Sequence, residues 1–296
     1  MIAIWMKYEL QKISKGPFQI VELGPGRGTL IKDILRVYKQ FKSLNNISVH
    51  LVEISPTLSL IQAKNLCKTI TEYDTKINES KGNPINYYRE GITEDEIKVY
   101  WYNSIKDVPK NFSIFLAHEF FDALPIHKFQ KTDRGWCEVL VDIIQESNEE
   151  KFCYVLSNAP TPATFYISND EKREHVEISP ESLVIVDYIA NFLWECGGFA
   201  LICDYGHNAI KKIAEKDDRL ITFGPVTQSS FLQNLGIDLR LQMLLQNTSE
   251  EGKKSLQTGY HMIMDEDKMG TSFKVLSLFP SVLKEYFKKV PVAGFY

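Results

Sequence analysis

Apolar positions along the chain fall into short continuous runs that alternate with helical stripes. Residues 18–23, Phe-Gln-Ile-Val-Glu-Leu, form one such run and end at a glycine cluster, the pattern of a buried strand. Between 29 and 41, Leu30, Ile31, Ile34, Leu35, Val37, Tyr38 and Phe41 recur close to i, i+3, i+4, i+7, which predicts an amphipathic helix. Residues 47–53 predict the next strand. Ser55-Pro56 then starts a second helix running to about Cys67, proline being suited to a first helical turn. Strand, helix, strand, helix is the order of a parallel sheet with helices on both faces. The expected fold class is therefore α/β, doubly wound and mostly parallel.

The same reading extends along the rest of the chain. Residues 1–12 predict a short amphipathic helix. Residues 68–98 are polar, with a turn signal at Gly82-Asn83-Pro84, and read as a helix end followed by a surface insertion. Strands are predicted at 99–101 and 111–118. The runs 126–131, 136–142 and 152–156 follow without intervening helices and predict an antiparallel excursion over about 126–178. Ser179-Pro180-Glu181 caps a helix that Gly197-Gly198 stops. A strand at 199–205, a helix at 231–246 and a closing strand at 272–279 complete the set, with Glu250–Lys254 a solvated turn. No linker divides the sequence, so a single domain over 1–296 is expected.

Composition adjusts this picture only slightly. Hydrophobic residues make up 44% of the 296 and charged residues 24%, the balance of a folded globular chain. A net charge of -4 provides no global basic field, and no nucleic-acid partner is expected. The five cysteines are Cys67, Cys137, Cys153, Cys196 and Cys203; with no CxxC pair among them, they predict neither a zinc site nor a disulfide framework. No apolar run reaches the roughly 18 residues of a membrane span. The first dozen residues lack the character of a targeting peptide.

Chemistry concentrates at Val21-Glu-Leu-Gly-Pro-Gly-Arg-Gly28, a strand-to-helix turn. Glycines there permit a tight turn and let a ligand approach the backbone with no Cβ in its way. A dinucleotide fingerprint needs G-x-G-x-x-G, but counting from Gly24 the sixth position is Thr29, and the third glycine falls one residue early at Gly28. The spacing is G-x-G-x-G, led by Glu22. This suits S-adenosylmethionine, whose sulfonium cation and zwitterionic tail favour an acid near the loop where a diphosphate would not. Glu53 ends the second strand and is placed to accept hydrogen bonds from both ribose hydroxyls. The cofactor-binding set is thus Glu22, Gly24, Pro25, Gly26, Gly28, Glu53 and the adjoining Ile54. The competing reading is a bare glycine turn with a solvated Glu53.

Five segments extend the case: Val21-Glu-Leu-Gly-Pro-Gly-Arg-Gly-Thr-Leu30, Val52-Glu-Ile-Ser-Pro56, Glu119-Phe-Phe-Asp-Ala-Leu-Pro125, Asp204-Tyr-Gly-His207 and Gly224-Pro-Val-Thr-Gln228. Together with Gly270-Thr-Ser-Phe-Lys-Val-Leu276, and in this order, they resemble the MidA-like family, which includes the mitochondrial complex I assembly factor 7 methyltransferases. The resemblance implies a class I, Rossmann-like S-adenosylmethionine methyltransferase of the mitochondrial matrix. It further implies symmetric dimethylation of an arginine on a core subunit of complex I. The sequence departs from the family pattern in two places. Family members carry an N-terminal lid segment before the position of Met1, and by this reading it is expected to be absent. Only about a dozen residues (208–219) separate Asp-Tyr-Gly-His from the next block, where the family has a longer loop. These departures motivate an alternative, a non-catalytic assembly factor that retains the fold and binds a complex I subunit.

Methyl transfer from a sulfonium is an in-line displacement, so positioning dominates. An arginine guanidinium is protonated in water and a poor nucleophile. Carboxylates gripping it would fix its plane and leave one nitrogen facing the methyl group. Glu119 and Asp122 lie three residues apart after the fourth predicted core strand and share a face if the segment is helical. They are the candidate clamp, with Glu119 the proton acceptor. The other reading has Asp122 capping a turn and Glu119 holding the methionine amine. His207 is a candidate proton relay, since imidazoles titrate near neutrality. Phe120 and Phe121 are read as core aromatics or as a stacking surface.

Overall fold

The computed structural model of the chain describes residues 1–73, 86–146, 149–205, 217–265 and 267–295. Contacts group them into two compact units, Met1–Asp122 with Val186–Tyr296, and Ala123–Ile185. Helix α1 (Ile2–Ile13) leads into β1 (Phe18–Leu23), α2 (Thr29–Gln40), β2 (Ile47–Val52) and α3 (Pro56–Leu66). Strands β3 (Cys67–Glu72), β4 (Arg89–Thr93), β5 (Lys98–Tyr102) and β6 (Ser113–His118) follow. The smaller unit holds β7 (His127–Thr132), β8 (Gly135–Glu146), β9 (Glu149–Leu156) and β10 (His175–Ile178). After α4 (Pro180–Cys196), the chain adds β11 (Gly198–Tyr205), β12 (Leu220–Thr227), α5 (Gln228–Asn234), α6 (Ile237–Gln246), α7 (Glu250–Met264) and β13 (Phe273–Pro280).

In the larger unit the sheet order is β12-β13-β11-β6-β1-β2-β5-β4-β3. The five central strands, β11-β6-β1-β2-β5, run parallel. Antiparallel pairs flank them: β13 on β11 and β12 at one edge, β4 on β5 and β3 on β4 at the other. Alternation along the buried strands sends Ile114 and Phe199 to one face and Phe115 to the other. Trp5 of α1 meets Phe199 edge-on at 5.4 Å, and Phe192 of α4 meets Phe115 at 5.1 Å, so helices cover both faces. From β1 the chain builds outward to β2 and β5 on one side and to β6 and β11 on the other. The direction of winding reverses between β1 and β6, and such a reversal opens a crevice at the carboxyl ends of the strands.

Several elements differ from the sequence reading. Residues 67–72 form an edge strand where a helix end was expected, because β-branched Thr69, Ile70 and Thr71 pair with β4. Gly82-Asn83-Pro84 lies outside the described residues. The expected 231–246 helix breaks at Gly236, whose φ of +75° starts α6 as a separate helix. Glu250–Lys254 is the first turn of α7, capped by the Ser249 side chain, and not a solvated turn. Strand β12 was missed: its Gly224-Pro225 and an irregular register against β13 hide its period. In the smaller unit the antiparallel order is β10-β7-β8-β9, with β10 an addition to the three predicted runs. No helix among the described residues is long and apolar enough to cross a membrane.

Candidate active site

The glycine turn lies at the carboxyl end of β1. Gly24, Gly26 and Gly28 have φ of +60°, +54° and +77°, a region that favours glycine, and Gly28 is the N-cap of α2. Each glycine has a different reason to lack a side chain. A Cβ on Gly24 would come within 2.9 Å of the Phe120 ring, so that ring packs directly on the loop. At Gly28 a Cβ would touch Leu66 and Gln62 of α3. A Cβ on Gly26 would meet nothing within 4 Å and would project into open space. Pro25 is buried, and its carbonyl accepts from Gly28 N–H at 2.8 Å, closing the turn.

Glu22 is buried at 3% exposure, and its Oε2 has no hydrogen-bond partner. Burial alone lifts its carboxyl from about 4.5 to about 8, because a lone negative charge is costly where water is excluded. An orphaned buried acid beside an open glycine cradle fits a ligand that brings its own positive charge.

Glu53 follows β2 and is also buried, but it is well partnered. Its Oε1 accepts from Ser55 N–H at 2.8 Å and its Oε2 from Gln62 Nε2 at 3.0 Å. The Ser55 hydroxyl in turn caps α3, accepting from Leu58 N–H, and Tyr88 donates to the Glu53 carbonyl at 2.8 Å. Ile54, next to it, is 80% exposed.

Across the winding reversal, β6 is followed by Glu119-Phe-Phe-Asp122. This segment bends and turns without forming a helix, so the shared-face argument for Glu119 and Asp122 does not hold. Glu119 takes φ +50°, unusual for a non-glycine residue, and donates its N–H to the Cys203 carbonyl of β11 at 2.9 Å. The Asp204 carboxylate accepts from Phe121 N–H at 2.9 Å and holds Asp122 N–H at 3.4 Å, which fixes the turn. Glu119 and Asp122 are both exposed, whereas Asp204 is buried. Burial first, then the charge of Asp122, pushes the Asp204 carboxyl up, and the three backbone N–H groups around it oppose that shift. His118 stacks on Phe273, with Nδ1 at 3.7 Å from Glu119 Oε1. Phe121 is buried and meets Phe120 edge-on at 5.2 Å. His207 lies outside the described residues.

The sequence reading gave no part to Gln62, and gave Asp204 only a place in the Asp204-Tyr-Gly-His207 segment, without a role. Gln62 shares the buried stripe of α3 with Ser59, Ala63 and Leu66, and a glutamine on such a stripe was the available signal. For Asp204 the signal was a carboxylate closing an otherwise apolar strand. Among the described residues, no cluster of three or more His, Cys, Asp or Glu side chains is arranged to hold a metal ion.

Comparison with known proteins follows the same lines. A family model described as "Putative S-adenosyl-L-methionine-dependent methyltransferase" matches residues 1–236. A zebrafish (Danio rerio) protein named protein arginine methyltransferase NDUFAF7, mitochondrial, is 42% identical over the whole of this chain and 78% of its own length. The human (Homo sapiens) protein of that name is 40% identical, over 95% of this chain and 70% of its own. The mitochondrial designation of these relatives agrees with the location that the family resemblance implies. Two solved structures from Burkholderia thailandensis share the fold. One superposes with a TM-score of 0.68 at 16% identity, over 95% of this chain and 78% of that one. The other, bound to S-adenosyl-homocysteine, gives 0.66 at 17%, over 95% and 76%. Glycine turn, strand-end acid and parallel-sheet topology thus coincide with full-length sequence similarity, and the chain belongs to the family of S-adenosylmethionine-dependent methyltransferases that includes the mitochondrial NDUFAF7 proteins.

Proposed function

We propose that the chain methylates an arginine of a protein substrate, a core subunit of mitochondrial complex I, in the mitochondrial matrix, and carries the product to symmetric dimethylarginine. The observation that carries this reading is the pairing of an open glycine cradle with an acidic strand end on the two sides of one winding reversal. Relatives at about 40% identity are named protein arginine methyltransferases, which supports the choice of acceptor.

S-adenosylmethionine supplies an electrophilic methyl group on a sulfonium. Gly24, Pro25, Gly26 and Gly28 would hold its methionine portion against backbone, and Glu22 would compensate its positive charge. Glu53 would accept from the ribose hydroxyls, and Ile54 would lie against the adenine. On the acceptor side, Glu119 and Asp122 would grip the guanidinium. Asp204 adds a third acid that favours a cation at the tips of β6 and β11. As the N–CH3 bond formed and the S–CH3 bond broke, leaving S-adenosylhomocysteine, the guanidinium nitrogen would give up a proton, with Glu119 as the acceptor within reach of solvent; His207 would pass it onward. Each member of the clamp acts by orientation, which is where most of the barrier lowering in such a displacement arises.

The test is mass spectrometry of a complex I core subunit after incubation with the chain and labelled donor. The expected result is one and then two labelled methyl groups on a single arginine. Binding of S-adenosylhomocysteine with no label transferred would support the non-catalytic assembly-factor reading, and label on another residue type would replace the acceptor.

A further inference from the structure

Gln62 is 0% exposed and makes three hydrogen bonds. Its Oε1 accepts from Trp101 Nε1 at 2.9 Å; its Nε2 donates to the Gly26 carbonyl at 2.7 Å and to Glu53 Oε2 at 3.0 Å. The orientation of an amide is ordinarily a choice between two flips. Here the partners allow only one. An indole has a donor and no acceptor, so the amide oxygen must face Trp101. The NH2 group is then turned toward two groups that can only accept. A second tie from the same helix, Asn65 Nδ2 to the Arg27 carbonyl at 3.1 Å, reinforces the glycine turn.

We propose that Gln62, oriented by Trp101, is a positioning residue for the methyl donor: it fixes the glycine turn at Gly26 and the carboxylate of Glu53 at one separation before the donor arrives. This rests on the reading of Glu53 as the ribose acceptor. With Ser55 N–H on Oε1 and Gln62 on Oε2, each oxygen of Glu53 has one partner inside the protein and keeps a lone-pair direction for one ligand hydroxyl. The ordering cost of both halves is met during folding and does not have to be met on binding.

The titratable and charged groups along these contacts are Glu53 itself, Tyr88, bonded to the Glu53 carbonyl, and Arg89, bonded to Ser59 on the same helix. An acid introduced at position 62 would therefore face the Glu53 carboxylate and the Gly26 carbonyl. In its neutral form it could still donate one hydrogen bond; once ionised it would repel both.

The experiment is calorimetric titration of S-adenosylhomocysteine into wild type, Gln62→Leu, Gln62→Glu and Trp101→Phe between pH 6 and 9, with thermal melts of each. Gln62→Leu is expected to weaken binding by about 10- to 100-fold, since it strips a donor from a buried charged acceptor. For Gln62→Glu, Kd relative to wild type at the same pH should rise about tenfold or more from pH 6 to 9. Trp101→Phe should cost about threefold, by releasing the amide flip. In turnover assays the donor KM should rise while kcat stays within about threefold. Wild-type affinity in a folded Gln62→Leu, or a Gln62→Glu ratio that does not move with pH, would overturn the proposal. If Gln62→Leu does not fold, the pH-dependent ratio and Trp101→Phe decide. Failure of wild type to bind S-adenosylhomocysteine would instead remove the donor site on which the proposal rests.

Discussion

The two strand ends that flank the winding reversal are built in opposite ways. On the β1–β2 side the polar groups are buried and wired together: Glu53 has a partner on each oxygen, Gln62 has three, and the glycine turn is closed by Gly28 N–H on the Pro25 carbonyl. On the β6 side, Glu119 and Asp122 are exposed, and order comes from Asp204 beneath them through backbone N–H groups. The first arrangement suits a small ligand whose shape never varies, because preformed contacts lower the ordering cost of binding. The second leaves both carboxylates exposed to solvent, as the proposed grip on a substrate guanidinium requires. Glu22 is the exception on the wired side, the one acid there with an orphaned oxygen.

The largest effect is expected from a change that destroys the wired side alone. Gly26→Val would fill the open cradle and force a β-branched residue to φ +54°. Binding of S-adenosylhomocysteine should fall by more than about 100-fold in calorimetry while the fold survives, because a Cβ at this position meets nothing within 4 Å. Retained affinity would detach the glycine turn from the donor.

The next effect breaks the exposed side alone. Glu119→Gln should lower the rate of product formation by about 10²- to 10⁴-fold, the usual range for a positioned proton acceptor, and leave donor affinity within about threefold. Equal loss of affinity and rate would transfer Glu119 to the donor site and erase the contrast between the two strand ends.

A smaller effect sharpens the exception. The folded chain holds the Glu22 proton more tightly than the unfolded chain does, with the carboxyl at about 8 against about 4.5. Between those values the folded state binds more protons, so this residue's contribution to stability is lost as pH rises from about 4.5 to about 8. Glu22→Gln in the ligand-free protein should remove that loss. The melting temperature of the variant relative to wild type should climb across this window and level off above it. A difference that stays constant with pH would mean that the Glu22 carboxyl titrates at the same pH in the folded and the unfolded chain.

The glycine turn and the acid after β2 were legible in the sequence because their signals are local. Gly24, Gly26 and Gly28 sit in one turn, Glu53 ends the neighbouring strand, and the apolar periods of 18–23, 29–41 and 47–53 place the turn at a strand end without reference to any distant residue. The elements the sequence reading missed were those whose signals are weak or interrupted. Strands β3 and β4 are short and polar, and β12 is broken by Gly224-Pro225. The spacing of Glu119 and Asp122 suggested a helix, and a distant aspartate made the segment a turn.

The sequence by itself determined the parallel core, the bend that a Cβ would obstruct and the acid that follows β2, since each depends on residues within a few positions of one another. Only the tertiary structure decided that Asp204, more than eighty positions downstream, would bind the backbone of Phe121, and that Trp101 would fix the amide of Gln62. Strand pairing brings such residues together, and one-dimensional periodicity records which face a side chain takes but not which partner waits there.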